Sequence, residues 1–386
     1  MKKAFLVLSI LTVCVLMAGV VVGRKQRLEQ TACLPRIEDM TLREKVGQLF
    51  YIRLEMVDPN WPIQCLNDSF MMKVKDYPCG GFLLSSFNYR DSAHVIAFNE
   101  QLHALYGHPL LCLDEEGGRV VNLAAKDSLN LPRWESTWSI GRTHDVGEAY
   151  RCGRIIGHYM KHYGFDVSFA PVADVWTNPE NTVIGTRAYS DKAKEVAVMC
   201  RYFLGGLNYE GILGSYKHYP GHGNTLGDTH KEAAYTDKTW EELKRCELIP
   251  FEDGIAHGLQ MIMASHVSLP NVTGDSVPAS ISRELLTHRL RGDLGFQGVI
   301  ITDSYRMRAV LQGRNAKVQA IQGIRAGVDI ILSPRDYFEA FDGIVEAVEK
   351  GQISEERINA SVKRALAIKH WVLTHPRTGP AHPCMN

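Results

Sequence analysis

Residues 110–114 read LLCLD, four apolar residues in succession followed by a carboxylate. A continuous apolar run of this length predicts a strand that is buried on both faces, as in a parallel sheet. Similar short runs recur along the chain, with longer helical stretches between them. They centre on residues 49–52, 81–84, 167–170, 212–216, 261–264, 299–302 and 330–332. This alternation of strands and helices predicts an α/β protein.

Eight such units, each a strand followed by a helical stretch, predict a single (β/α)8 barrel of the TIM type. A doubly wound open sheet is the alternative. Helix signals frame the repeats. Thr41 and Glu44 have the spacing of a capping box, and Ser354 precedes two glutamates and an apolar helical pattern. We therefore expect one barrel domain over residues 37–373. A linker over residues 24–36 and a loose tail over residues 374–386 would flank it.

The first residues of the chain differ in kind from the rest. Lys2 and Lys3 precede an apolar run that continues to Gly23 and ends at Arg24. This layout is typical of a signal peptide, and the run is also long enough for an uncleaved membrane anchor over residues 1–23. We expect an exported protein that is periplasmic or associated with the cell envelope, with membrane attachment through this segment as the alternative to cleavage.

Composition narrows the classes of partner. Acidic and basic side chains number 43 each, which argues against a nucleic-acid-binding protein because such proteins normally carry a basic surplus. In an exported chain the cysteines permit disulfides, and Cys65 with Cys79, or Cys33 with Cys384, are conceivable pairs. Cys112 lies within an apolar run and is expected to be a buried free thiol. We expect a monomer without a cofactor.

Polar side chains follow several of the predicted strands. These residues are Asp114, Asp174, Lys217, His218, His266 and Asp303. Each could simply cap a helix. In a barrel, however, the carboxyl ends of the strands share one rim, and active sites are built there. The sequence therefore predicts that these side chains meet in one pocket.

Residues 217–230 read KHYPGHGNTLGDTH and contain three histidines. Pro220 and the neighbouring glycines disfavour a helix, so we expect a loop after a strand that ends before Lys217. Asp228 is close enough to His230 to hold one imidazole nitrogen and raise its basicity, which favours acid–base catalysis. The same residue types could also bind a metal ion or serve only the structure.

Several stretches together resemble glycoside hydrolase family 3, in particular its β-N-acetylglucosaminidase branch. The resemblance runs from about residue 37 to residue 373. Its motifs are MTLREKVGQLF (40–50), DEEGGRV (114–120), APVADV (170–175), IGTRAY (184–189), the segment 217–230, ASH (264–266) and ITDSYRM (301–307). It implies an exo-acting retaining enzyme that removes terminal N-acetylglucosamine from peptidoglycan fragments or chitooligosaccharides.

The resemblance also implies roles for individual residues. Asp303 matches the nucleophile that forms a covalent glycosyl-enzyme, and His230 matches the general acid/base with Asp228 as its partner. The positions expected to contact the sugar are Asp114, Arg187, Lys217, His218 and His266. No metal site is implied.

Three other functions stay open on the sequence. A histidine acid/base places no negative charge beside the intermediate, so phosphate could compete with water and make the protein a phosphorylase. A metal-dependent hydrolase could use His218, His222, Asp228 and His230. A sugar-binding protein of the envelope without catalysis is the third. Departures from the family pattern, among them Glu115 and Arg306, leave the preferred aglycone open.

Overall fold

Short strands alternate with helices in the computed structural model, which describes residues 34–225, 234–311 and 313–375. The strands are β1 (Phe50–Ile52), β2 (Gly81–Leu83), β3 (Leu110–Leu113), β4 (Val167–Ser168), β5 (Leu213–Gly214), β6 (Tyr216–Tyr219), β7 (Ala234–Tyr235), β8 (Met261–Ala264), β9 (Val267–Ser268), β10 (Val299–Thr302) and β11 (Ile331–Leu332). Each predicted apolar run contains a strand.

The α-helices are α1 (Leu42–Gly47), α2 (Asp68–Asp76), α3 (Ser92–His103), α4 (Thr137–Gly141), α5 (Val146–His162), α6 (Ala193–Tyr209), α7 (Trp240–Lys244), α8 (Ile249–Ala256), α9 (Pro270–Thr273), α10 (Arg308–Leu311), α11 (Ala316–Ala326), α12 (Tyr337–Glu349) and α13 (Glu355–Thr374). Glu284–Asp293 forms a π-helix. Short 3-10 turns occupy Ile37–Asp39, Leu54–Met56, Ser86–Asn88, Asp127–Leu129, Gly185–Arg187 and Ala279–Ile281.

All pairings between these strands are parallel. The six-stranded sheet has the order β11-β1-β2-β3-β4-β5, the three-stranded sheet β10-β8-β6, and β7 pairs with β9. The larger sheet forms a parallel half-barrel, so the predicted α/β class is confirmed. Its strands follow chain order from β1 to β5, without the reversal that marks a doubly wound sheet.

The run over residues 212–216 differs from its prediction. It splits at Ser215, because β5 pairs with β4 whereas β6 pairs with β8. Lys217 and His218 therefore lie within β6, and the expectation that the strand ends before Lys217 is wrong. The strand continues because Lys217 and Tyr219 still pair with β8, with an irregular register between them.

Alternate strand residues face opposite sides of the sheets, as the pleat requires. Tyr51 and Cys112 belong to an inner apolar cluster, while Phe50 and Leu111 pack in a larger cluster with the helices. Helix α13 adds Ile368 to the inner cluster. It lies at the amino ends of the strands, where Lys369 donates to the Gly107 carbonyl just before β3 at 2.8 Å. The carboxyl ends of the strands lie on the opposite side from this helix, where a site can form.

The predicted helix caps are present at both ends of the domain. The Thr41 backbone N–H donates to the Glu44 carboxylate at 2.7 Å, and the Glu44 N–H donates to the Thr41 hydroxyl at 3.3 Å. At the other end the Arg357 N–H donates to the Ser354 hydroxyl at 3.2 Å. The predicted leader over residues 1–23, and most of the predicted linker and tail, lie outside the described residues.

The cysteine predictions have mixed outcomes. Cys65 is an exposed thiol and Cys79 a buried one, and both are free, so the conceivable bond between them is wrong. Cys112 is a buried free thiol, as predicted. Cys33 and Cys384 lie outside the described residues. Among the residues that the structure describes, none of the helices is both long and apolar enough to cross a bilayer.

Candidate active site

A cavity of about 870 Å³ opens at the carboxyl ends of the strands. The predicted site residues in its walls are Asp114, Arg187, Lys217, His218 and Asp303. They come from the end of β3, a 3-10 turn after β4, strand β6 and the end of β10. Residues almost two hundred positions apart are thus brought to one place by the parallel arrangement of the strands.

A buried carboxylate, Glu116, joins two cations of the cavity, Arg187 and Lys217. It accepts two hydrogen bonds from Arg187, at 2.9 Å from Nε and 2.7 Å from Nη2. Its Oε1 also lies 2.7 Å from Nζ of Lys217. The Lys217 ammonium donates in addition to Asp114 at 2.8 Å. The four side chains form one network in which both cations are held in fixed positions.

Charge pairing sets the protonation of this network. Burial by itself would raise the pKa of Glu116, but Arg187 and Lys217 outweigh it and bring the pKa to about 2. Burial would lower the pKa of Lys217, yet Asp114 and Glu116 reverse the effect and raise it above its ordinary value. Glu116 and Lys217 are therefore both ionised at neutral pH.

A second buried carboxylate, Asp174, orients His218. The Asp174 Oδ2 lies 2.6 Å from Nδ1 of His218, and Nη2 of Arg187 approaches the other ring nitrogen at 3.4 Å. Because a carboxylate can only accept, the contact with Asp174 makes Nδ1 the donor of the His218 ring. Burial opposes ionisation of Asp174, but His218 and the surrounding donors lower its pKa overall.

Asp174 also holds the beginning of the histidine-rich segment. Its Oδ1 accepts from the backbone N–H of His222 at 2.6 Å. The His222 ring is buried, and its Nδ1 lies 2.7 Å from the Thr225 hydroxyl. Burial and the neighbouring His218 lower the pKa of His222 to about 4. His222 is thus a neutral ring that fixes the segment beside the cavity.

Asp303 reaches the cavity from the end of β10. Its backbone N–H donates to Ala264 at 2.8 Å, and its carboxylate accepts from the Ser304 N–H at 2.7 Å. Burial raises the pKa of Asp303, but His266, followed by His218, outweighs burial and lowers it. The group is a carboxylate at neutral pH.

His266 lies behind Asp303 and is not among the residues that line the cavity. Its ring is buried, with Nδ1 2.7 Å from the Ser280 hydroxyl and Nε2 2.9 Å from the Ser304 carbonyl. The structure thus places His266 against the segment that carries Asp303, whereas the sequence predicted a pocket-lining position. It influences the carboxylate through charge and through the backbone of Ser304.

The two neighbouring glutamates point in opposite directions. Glu115 is buried and accepts backbone N–H groups of residues 122–124 at 2.7 to 3.1 Å. The Tyr159 hydroxyl donates to it at 2.8 Å. Glu115 therefore organises the loop that carries Arg119. Arg119 lines the cavity and donates to the carbonyls of Thr182 and Val183.

The acid/base pair predicted from the sequence, Asp228 and His230, lies outside the described residues. Within the described ranges, no three or more His, Cys, Asp or Glu side chains are grouped so that they could hold a metal ion. Two functional positions were missed: Glu116 was assigned no role, and Asp174 was placed on the rim without one. The alternation of side chains in an extended segment is the signal for Glu116, because Asp114 and Glu116 share a face.

Comparison with known proteins identifies the family. Residues 41–368 match the family model described as the glycosyl hydrolase family 3 N terminal domain. Beta-hexosaminidase of Nitrosomonas eutropha is 34% identical over 262 residues, which cover 67% of this chain and 74% of that protein. Beta-hexosaminidase A of Pseudoalteromonas piscicida is 29% identical over 325 residues, or 77% of this chain and 54% of that one.

A solved structure is similar over a longer stretch. The glycoside hydrolase family 3 β-N-acetylglucosaminidase from Paenibacillus sp. str. FPU-7 superposes with a TM-score of 0.79 and 31% identity, covering 89% of this chain and 65% of that one. The chain thus spans 54% of the Pseudoalteromonas protein and 65% of the Paenibacillus chain. With most of its length matched by the family model, the chain belongs to glycosyl hydrolase family 3.

Proposed function

We propose that the protein is an exo-acting, retaining β-N-acetylglucosaminidase. The observation that carries the proposal is the content of one cavity. Asp303 offers a carboxylate that makes no ion pair within the described part of the chain, beside the ion-paired network of Asp114, Glu116, Lys217 and Arg187. An unpaired carboxylate suits a nucleophile, and fixed charges suit the binding of sugar hydroxyls. The hexosaminidases and the Paenibacillus enzyme named above support the choice of sugar.

The proposed reaction has two steps. In the first, a carboxylate oxygen of Asp303 bonds to the anomeric carbon while the bond to the leaving oxygen breaks. His230, oriented by Asp228, gives that oxygen a proton. In the second, water attacks the anomeric carbon, loses a proton to His230 and displaces Asp303. Two displacements at one carbon release the sugar with its original configuration.

We also infer that the sheets close into one (β/α)8 barrel. The first and last strands pair, with Phe50 opposite Ile331. Two isolated parallel bridges, Val172 with Lys217 and Ile301 with Ile330, join the two larger sheets on both sides. A closed barrel would give Asp114, Lys217 and Asp303 a common rim.

We propose peptidoglycan fragments, in preference to neutral chitooligosaccharides, as the natural substrate. The support is charge at the cavity wall. Arg53, Arg119 and Arg306 line the cavity, and none of them pairs with a carboxylate among the described residues. Unpaired guanidinium groups favour substrates with carboxylates, which peptidoglycan fragments carry in their lactyl and peptide groups.

We further propose that the protein acts outside the cytoplasm, where such fragments arise from the envelope. The support is the sequence of residues 1–23, in which Lys2 and Lys3 precede a continuous apolar run. That pattern is typical of exported chains.

The experiment measures p-nitrophenol release from the β-N-acetylglucosaminide and the β-glucoside, with and without a chelator, for the wild type and Asp303→Ala. We expect cleavage of the N-acetylated substrate only, unaffected by the chelator, and a decrease in kcat of about a thousandfold or more in the variant. Asp76→Ala, which removes an exposed aspartate at the amino end of β2, is the matched control. Proton NMR of the first-formed sugar should show the β-anomer.

Two of the alternatives have outcomes of their own. Loss of activity with chelator would favour the metal-dependent hydrolase. N-acetylglucosamine 1-phosphate as the main product in phosphate buffer would favour the phosphorylase. Full activity of Asp303→Ala, or the α-anomer as first product, would contradict the proposed nucleophile.

A further inference from the structure

Trp61 is the feature of the cavity that the proposed reaction leaves unused. It lines the cavity together with Asp303 and Lys217, yet 66% of its surface is exposed. Lys217 and His218 are 2% and 6% exposed. The cavity therefore runs from a buried, charged floor to a mouth where a large aromatic ring faces water.

The segment that carries Trp61 is anchored on both sides. Before it, Asp58 accepts from side-chain amides of Asn60 and Asn67 at 2.7 and 2.9 Å. After it, Ile63 is buried in the core, and its carbonyl accepts from Asn88 at 3.0 Å. An exposed ring on a segment with buried neighbours is held in place, so its exposure is not that of a loose loop tip.

A second aromatic ring extends the surface. The centroids of Trp61 and Phe87 lie 5.4 Å apart with an interplanar angle of 47°, and Phe87 also lines the cavity. Gln64, three residues after Trp61, donates to the Phe87 carbonyl at 2.7 Å. The side chains and the backbones of the two segments are therefore tied together, giving an apolar surface with a fixed shape at the cavity mouth.

We propose that Trp61 and Phe87 form the binding surface for the second pyranose ring of the substrate, the ring attached to the leaving oxygen. This inference rests on the proposed function. An exo-acting enzyme holds the terminal sugar at the cavity floor, so the next ring lies towards the mouth. The C–H groups on one face of a pyranose are apolar, and their contact with an indole face removes both from water.

Charged residues of the cavity wall match this occupant. Arg306 lines the cavity and is exposed, and Glu55, which also lines it, accepts from the side-chain amide of Asn88, the neighbour of Phe87, at 2.8 Å. Polar groups around an apolar surface can bind the ring hydroxyls at the edge of the sugar, while the aromatic rings contact its face. Trp61 is thereby assigned a role in substrate specificity and none in bond cleavage.

The test compares two substrates that share the terminal sugar. N,N′-diacetylchitobiose has a second pyranose ring, whereas methyl β-N-acetylglucosaminide has only a methyl group. For Trp61→Ala we expect kcat/KM on chitobiose to decrease about tenfold, mostly through KM, which corresponds to about 1.4 kcal/mol. On the methyl glycoside kcat/KM should change by less than about twofold. Trp61→Phe should recover most of the chitobiose activity.

A control separates this effect from any change in folding. Tyr106 is another exposed aromatic residue, 61% exposed and located before β3 at the opposite end of the strands, so Tyr106→Ala should leave both substrates unaffected. The thermal unfolding midpoint of Trp61→Ala should match that of the wild type. Suppose that the wild type cleaves both substrates and that Trp61→Ala is slowed equally on both, or on neither. That result would overturn the role of Trp61 and leave the proposed function standing. A wild type that cleaves neither would overturn the proposed function and this inference with it.

Discussion

Replacing Glu116 with Gln tests the reasoning about the buried network most directly. The substitution preserves shape and removes the charge that faces Arg187 and Lys217. The new amide group would also direct N–H donors at a guanidinium that can only donate. Two buried cations would then have only Asp114 as a carboxylate partner within this network.

The expected loss can be worked out in two ways. A fall of the Glu116 pKa from 4.5 to about 2 corresponds to about 3 kcal/mol of folding free energy. Removing one partner of a buried ion pair costs about 3 to 5 kcal/mol in other proteins. We therefore expect Glu116→Gln to lower the free energy of unfolding by about 3 kcal/mol.

Urea unfolding at pH 7, followed by tryptophan fluorescence and circular dichroism, measures this loss. Glu346→Gln is the control, because Glu346 also has a pKa lowered to about 2, by Lys317 and Lys350, but lies at the surface. Solvent screens exposed pairs, so the control should unfold at the same urea concentration as the wild type. Equal effects of the two substitutions would refute the argument from burial.

The pH dependence gives an independent check. The folded-state pKa of Glu116 lies below its ordinary value. Its contribution to the free energy of unfolding is therefore complete above pH 4.5 and is lost as the pH falls through about 2. The difference in the free energy of unfolding between wild type and Glu116→Gln should stay constant from neutral pH down to about pH 5 and become smaller below it. A difference in the free energy of unfolding that grows as the pH falls would contradict the lowered pKa of Glu116.

Two further substitutions probe the cavity. Asp174→Asn should reduce kcat/KM about 10- to 100-fold, because the amide can present a donor to Nδ1 of His218 and disturb its tautomer. An unchanged kcat/KM on the p-nitrophenyl substrate would count against this orienting role. His266→Ala should raise the pKa of Asp303, since burial already raises it and His266 is the main influence that lowers it. The acid limb of the kcat/KM profile should therefore move to higher pH, and a limb that stays in place would contradict the link between the two side chains.

The strands and the meeting of polar side chains could be predicted because they depend on local patterns. A continuous apolar run such as residues 110–113 predicts a buried strand, and parallel strands bring residues after their carboxyl ends together. Asp114 and Asp303 were located in this way. The family resemblance added Arg187, which lies in a 3-10 turn that no strand pattern would have indicated.

The remaining features depend on contacts that no local pattern encodes. Lys217 and His218 belong to a strand because β8 continues to pair with it, although the apolar run ends at Tyr216. The turn at Gly117, with φ +94°, follows directly after Glu116 and packs against α5, where a Cβ atom on residue 117 would lie 2.9 Å from Sγ of Cys152. His266 lies behind Asp303 because Ser280 and Ser304 hold its ring there. Such contacts are set by tertiary packing.

The pairing of the first strand with the last has a consequence for synthesis of the chain. β1 gains its second neighbour only when β11, at residues 331–332, is available, and the inner cluster is covered only by α13 after that. Contacts between such distant residues form slowly, and a growing chain keeps one edge of β1 unpaired until residues 331–332 have left the ribosome. An unpaired strand edge is a place for incorrect pairing with other chains. Fragments that stop before Ile331 should therefore aggregate, and chaperones that hold unfinished chains should matter until residues 331–374 have been made.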